Sequence, residues 1–149
     1  MTTTQTSKYP TKEEIFAELY ELNDETFKKV REWKRNYFNG KWKTTDEITK
    51  FHCLYELVGA ICESLNIEPP TLTVHQAGWC YDTESKIIWG EIGRPSIIST
   101  LHELGHHIFG ESELRASSFS TSIFMKCFPN SYKNLIWDGH MLKKPNDQP

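Results

Sequence analysis

The sequence lacks paired cysteines of the Cys-x-x-Cys type, and it lacks long apolar runs. Its four cysteines are scattered, so neither a zinc ribbon nor a redox dithiol is indicated. No stretch approaches the roughly 18 apolar residues that a membrane span needs, and residues 1–10 contain no apolar run of the signal-peptide type. We therefore expect reduced thiols, no membrane contact and a cytoplasmic location.

Internal repeats, low-complexity linkers and a strong charge of one sign are also missing. The 149 residues carry a formal net charge of -3, which argues against a protein whose main role is to coat nucleic acid. A chain of this length is long enough for one hydrophobic core and short for two. We predict a single domain over residues 1–149, with flexible ends at 1–10 and from about 142 to 149.

Helical periodicity dominates the first half of the chain and predicts three helices, over residues 11–22, 23–40 and 48–67. Capping boxes of the Thr-x-x-Glu type, beginning at Thr11 and Thr44, precede the first and the third. Gly40 is placed to end the second helix, and Pro69 and Pro70 to stop the third.

The hydrophobic period changes to two after residue 70 and then returns to the helical value. Three short strands are predicted at 71–76, 78–82 and 86–91, and we expect them to pair antiparallel. Two helices follow, from Ile97 to Gly110 and from Ser112 to Lys126, before a short polar tail that is expected to fray. The predicted fold is therefore α+β, with N-terminal helices, a small antiparallel sheet and two C-terminal helices.

The segment IISTLHELGHHIFG, residues 97–110, places His102, Glu103 and His106 in an otherwise apolar helix. Histidines four residues apart lie one turn apart on the same side, so both imidazoles can reach one metal ion. Glu103 projects from an adjacent face, where it can contact a water on that metal. The spacing predicts a zinc site with metal-activated water and Glu103 as general base for peptide-bond hydrolysis. The other interpretation is a pair of structural histidines with backbone or carboxylate partners.

Catalytic zinc usually has three protein ligands, so a third residue is required. The metzincin pattern does not fit, because its glycine and third histidine are missing from their set positions. A carboxylate is therefore expected. We favour Glu113, since a tight turn would fold the next helix back across the first, and Glu111 is the alternative metal ligand. Asp138 and His140 are more distant candidates.

The segments HELGHHIFG and ELRASSFSTSIFM, within a similarity that covers about residues 71–130, resemble the ImmA/IrrE-type zinc metallopeptidases, a gluzincin family with the HExxH motif. The resemblance implies a zincin-like minimal metallopeptidase domain. By that resemblance His102, His106 and Glu113 bind Zn²⁺ and Glu103 is the catalytic base. It also implies a protein or peptide substrate inside the cell, such as a DNA-binding regulator.

Three further features bear on function. Tyr132 or His140 could swing in to stabilise an oxyanion in the transition state. The strand at 86–91 could pair with an extended peptide by strand addition, or it could be a core strand. Residues 28–43 carry seven Lys or Arg and one Glu between aromatic residues. These residues indicate either the solvated face of an amphipathic helix or a surface that binds a nucleic-acid or protein partner. In the second case the protein would be a catalytically inactive, zinc-containing binding module.

Overall fold

The computed structural model describes residues 9–145 and has the mixed helix and strand content that the sequence predicts. Its helices are α1 (Lys12–Ala17), α2 (Asp24–Trp33), α3 (Glu47–Leu65), α4 (Ile97–Phe109), α5 (Glu113–Cys127) and α6 (Pro129–Lys133). Its strands are β1 (Thr71–His75), β2 (Cys80–Asp82), β3 (Ile87–Glu91), β4 (Ile136–Asp138) and β5 (Met141–Lys143). Of the ends predicted to be flexible, 1–10 and about 142–149, residues 1–8 and 146–149 lie outside the described residues.

The first helix begins where the sequence predicts and ends early. Thr11 and Glu14 form the predicted capping box, with bonds of 2.8 and 3.1 Å between each backbone N–H and the other side chain. α1 stops at Ala17 instead of residue 22. The carbonyl oxygen of Tyr20 accepts a hydrogen bond from Ser122 Oγ at 2.6 Å, so this backbone is held against α5 instead of continuing the helix.

The second helix is continuous with a π-helical turn, and the third begins at a different N-cap residue from the one predicted from the sequence. α2 passes into the π turn at Lys34–Phe38, and the chain turns at Gly40, whose φ is +72°. The capping box predicted at Thr44 is wrong, because Asp46 accepts the hydrogen bond from Thr49 N at 2.8 Å and caps α3. α3 ends at Asn66 in the left-handed conformation, before the two prolines.

The three-stranded sheet is mixed, so the prediction of a fully antiparallel sheet is wrong. Its strand order is β1-β3-β2, with β1 parallel and β2 antiparallel to β3. Alternation of apolar residues decides which face each side chain takes, but it does not decide strand direction. β3 lies in the centre and is paired on both sides, so of the two interpretations of residues 86–91 the core strand is confirmed and strand addition is wrong. β2 is the edge strand on that side.

Part of the tail beyond Tyr132, which was predicted to fray, is folded against the rest of the protein, as far as residue 143. α6 leads into the β4–β5 hairpin, which includes the beginning of the segment predicted to be flexible from about residue 142. Leu142 is buried, and Trp137 packs edge-on against Phe16, with 5.9 Å between ring centroids. Two apolar side chains thus attach a segment whose composition is mainly polar.

The core lies between helices α2 to α5 and the central strand. Its fully buried members include Val30, Leu57, Ile88, Leu101 and Phe119, one from each of these elements. α4 therefore buries one face in the core and leaves its histidine-bearing side toward β2 and the start of α5. Within residues 9–145, no helix combines the length and the apolar character needed to cross a membrane.

α4 and α5 approach each other closely at Gly105. A Cβ atom on this residue would lie 2.8 Å from Ala116 Cα and 3.0 Å from the Ala116 carbonyl oxygen. These are backbone atoms, which cannot move aside as a flexible side chain can. The absence of a side chain at residue 105 therefore allows the two helices to pack at this separation.

We expect Gly105→Ala to lower the free energy of unfolding by about 1–3 kcal/mol, because the added methyl group would overpack the α4–α5 contact. Gly59→Ala in α3 is the matched control, since an added Cβ would meet no atom within 4 Å there. That substitution should raise stability by about 0.5–1 kcal/mol through helix propensity. Urea unfolding measures both, and equal stabilities for the two variants would contradict the close contact.

Candidate metal centre

Local sequence fixes the positions of the two helices that form the site. Ser96 caps α4, and Gly110, with a φ of +82°, ends it. Ser112 then caps α5 by accepting a hydrogen bond from Arg115 N at 3.1 Å. Glu113 is consequently the first residue of α5, directly after a turn that returns the chain toward α4.

This turn brings the carboxylate of Glu113 to both motif histidines. Its Oε1 lies 3.1 Å from His102 Nε2, and its Oε2 lies 3.0 Å from His106 Nε2. One ligand atom from each of the three residues lies within 4.8 Å of the other two, so the group could hold a metal ion. The arrangement predicted from sequence, with Glu113 closing the group, is the one that the structure brings together.

A backbone contact selects the tautomer of His106. Its Nδ1 lies 2.8 Å from the carbonyl oxygen of Gly110, which can only accept, so Nδ1–H donates. Nε2 can donate to Glu113 Oε2, at 3.0 Å, only while the ring is protonated; when that proton is lost, the lone pair of Nε2 is free to bind a metal. The turn residue that ends α4 therefore also orients one of the ligands.

The charges of the group are mutually dependent. Hydrogen bonds from His102 and His106 hold the pKa of Glu113 far below its usual range, against the opposing effect of burial. Burial lowers the pKa of His106, but its bonds to Glu113 and Gly110 and the nearby carboxylates outweigh that effect and raise it. A metal ion bound here would compete with these protons, so metal binding and proton release are linked.

Glu103 lies beside the group without belonging to it. It is only 9% exposed, and it lines a cleft of about 440 Å³ together with His102, His106 and Glu113. Burial raises the pKa of Glu103, the two histidines lower it and Glu113 raises it. A titratable carboxyl group therefore faces the same space as the three candidate ligands.

The opposite wall of the cleft is the edge strand β2 and its flanks, which sequence analysis did not assign to the site. Trp79, Cys80, Tyr81 and Thr83 line this wall. Tyr81 Oη lies 2.7 Å from His107 Nδ1, and His107 Nε2 lies 2.8 Å from the carbonyl oxygen of Glu68. Since that carbonyl only accepts, His107 donates through Nε2 and accepts from Tyr81. His107 thus attaches α4 to β2.

The remaining candidate residues lie outside the group of His102, His106 and Glu113, and they differ in whether they line the cleft or its neighbouring cavity. Glu111 is exposed and lines the cleft but is not one of the three clustered ligands. Asp138 is exposed and pairs with Lys143 at 2.9 Å. His140 lines a neighbouring cavity together with His102 and Glu103. Tyr132 packs against the hydrophobic core and lines neither of these two cavities.

The aromatic residues of the basic segment 28–43 are used in packing. Trp33 is buried and donates its indole N–H to the Cys53 carbonyl at 2.8 Å, while Tyr37 and Trp42 pack against the core. Lys29 pairs with Glu63 at 3.1 Å. No observation favours a partner on this surface, and the nucleic-acid or protein contact through 28–43 stays a prediction.

Comparison of the chain with protein-family models, curated proteins and solved structures finds no match. The resemblance to ImmA/IrrE-type peptidases therefore stays a prediction, and the candidate metal centre depends on the geometry of its own residues.

We expect Glu113→Ala to weaken binding of a divalent metal ion by at least about ten-fold, because it removes one of three ligands. Glu111→Ala is the matched control, a neighbouring carboxylate in the same turn that the structure leaves outside the group. Competition with a chelating indicator gives both affinities. The ion should also raise the Tm of the wild type and the control more than that of Glu113→Ala. Equal losses of affinity in the two variants would contradict the assignment.

Proposed function

We propose that this protein is a zincin-like, zinc-dependent metalloendopeptidase that hydrolyses peptide bonds of an intracellular protein substrate, such as a regulator. The observation that carries the proposal is the contact of one carboxylate, Glu113, with two imidazoles four residues apart, while a second carboxyl group, Glu103, is buried in the same cleft. A structural histidine pair would not require this second carboxyl group.

The donor set fits zinc better than Mg²⁺, Ca²⁺ or Cu(I), and the glutamate next to His102 in the HExxH spacing favours zinc over Fe(II), which also binds two histidines and a carboxylate. Mg²⁺ and Ca²⁺ prefer oxygen ligands, and Cu(I) prefers sulfur, whereas two imidazoles and one carboxylate are typical of catalytic zinc. One ligand atom from each of His102, His106 and Glu113 lies within 4.8 Å of the other two, so a single ion could contact all three residues. Three protein ligands leave a fourth position, which suits a catalytic rather than a structural site.

When bound, a zinc ion supplies Lewis acidity, which polarises a substrate carbonyl and makes a water molecule more acidic. Glu103 takes the proton from the attacking water while a C–O bond forms at the carbonyl carbon. The same carboxyl group then gives the proton to the amide nitrogen as the C–N bond breaks. Water and peptide are thereby converted to a carboxylic acid and an amine, and Glu103 returns to its starting state.

The walls of the cleft suggest how a substrate segment is held. β2 is paired with β3 on one side only, so its other edge offers backbone N–H and C=O groups to an extended chain. We assign the transition-state hydrogen bond to His140, because it lines the adjoining cavity with His102 and Glu103. Tyr132, packed on the core, is a weaker candidate for this role.

We expect Glu103→Gln to retain zinc and to lower the rate of peptide cleavage by about 10²–10⁴-fold, because the amide cannot accept the proton from water. Glu111→Gln is the matched control, since it makes the same change in charge within the same cleft and should remain active. Mass spectrometry of new chain termini in a peptide library measures cleavage, and metal analysis measures zinc content.

Two results would count against the proposal in different ways. A Glu103→Gln variant as active as the wild type would reject Glu103 as the general base. A zinc-loaded wild type that cleaves no peptide in the library would reject the peptidase function, while the metal centre would still stand on the Glu113→Ala result.

A further inference from the structure

A second cavity, of about 260 Å³, adjoins the cleft and shares Trp79, His102 and Glu103 with it. Its deep wall is one side of α5, and its outer wall is the β4–β5 hairpin. The α5 wall is unusual because the residues that form it are buried hydroxyl groups: Ser117, Ser120 and Thr121. We call this cavity the hydroxyl pocket.

α5 carries two stripes of buried hydroxyl groups, and one of them has an evident structural role. Ser118 and Ser122, four residues apart, bond to the carbonyl oxygens of Ile15 and Tyr20 at 3.5 and 2.6 Å. These bonds attach the N-terminal segment to α5. The other stripe faces the hydroxyl pocket, so the N-terminal segment does not account for it.

Ser117 is the residue that this second stripe leaves unsatisfied. It is 2% exposed, and among the described residues its Oγ has no hydrogen-bond partner. Ser120 Oγ donates to the Ser117 carbonyl at 3.2 Å, which uses its proton and leaves its lone pairs open. A buried hydroxyl group without a partner is costly, so native proteins rarely keep one. Ser117 lines the hydroxyl pocket, so a partner for it could be held there.

We propose that the hydroxyl pocket binds the uncharged amide side chain of a substrate residue next to the cleaved bond, Gln or Asn. This inference rests on the proposed peptidase function, because it assigns the substrate class of the same site. An amide carbonyl can accept from Ser117, and an amide N–H can donate to the open lone pairs of Ser120. Trp79, Ile98 and Leu142 line the same space and can pack on the methylene groups.

The charges around the hydroxyl pocket favour a neutral occupant. The described residues that line it include two carboxyl groups, Glu91 and Glu103, beside the imidazoles of His102 and His140, and no Lys or Arg, so a substrate carboxylate would meet like charges and no permanently charged cation. Glu91 at the pocket already faces Arg94 at 3.5 Å. A metal ion on His102 would in turn repel a cationic side chain. An apolar side chain would leave Ser117 unsatisfied, as it is without a ligand.

The first experiment uses peptides that differ in one residue beside the cleaved bond, namely Gln, its charged counterpart Glu and its apolar counterpart Met. The Gln peptide should have a kcat/KM at least about ten-fold above both others. Ser117→Ala should abolish this preference with an unchanged or higher Tm, because it removes an unpaired buried group. Ser122→Ala, on the opposite stripe, should lower the Tm and keep the preference.

The second experiment does not need catalysis, so it separates this inference from the peptidase proposal. N-acetylglutaminamide and N-acetylmethioninamide are titrated into the zinc-loaded protein, and the backbone amide signals of Ser117 and Ser120 are followed by NMR. Only the glutamine compound should shift these signals, and Ser117→Ala should remove the response. If no peptide is cleaved, the peptidase proposal fails and this titration alone decides. Equal responses would mean that the pocket does not distinguish an amide from a thioether, and no response would mean that neither compound displaces the solvent; either result would overturn the inference.

Discussion

The close packing of α4 on α5 at Gly105 is the contact on which the site depends. Because the backbone of Ala116 occupies the place of a side chain, the first turn of α5 lies within hydrogen-bond distance of the histidines of α4. The same approach directs Ser117 and its neighbours toward the space beside His102. One helix contact therefore sets both the ligand geometry and the depth of the adjoining hydroxyl pocket.

Several contacts besides those among His102, His106 and Glu113 keep this group of charges together. Gly110 orients His106 through its carbonyl oxygen, and His107 joins α4 to the edge strand through Tyr81. Each of these residues is adjacent to a ligand in sequence or in the same turn, so a small displacement of α4 would alter the whole group. Such supporting contacts reduce the reorganisation needed when a metal binds.

Local signals explain why the two helices of the site were predicted well, whereas the strand direction and the folded C-terminal hairpin were not. α4 and α5 begin and end within one residue of the predicted bounds, because Ser96, Gly110 and Ser112 act on neighbouring backbone groups. The direction of β1 and the anchoring of the β4–β5 hairpin depend on contacts between residues far apart in sequence. The cap at Thr44 failed because Asp46, two residues later, satisfies the same helix end.

The polar character of α5 is the feature that helical periodicity explains least. A helix buried on nearly every side is normally apolar all round. From Ser117 to Ser122, however, this helix has one apolar residue, Phe119, and five buried hydroxyl residues. Two of them bind backbone carbonyls of the N-terminal segment, which the apolar pattern alone cannot reveal. The others face a cavity beside the candidate metal centre. Departures from local rules concentrate at functional sites, and here the departure coincides with the wall of α5 on which the proposed amide binding depends.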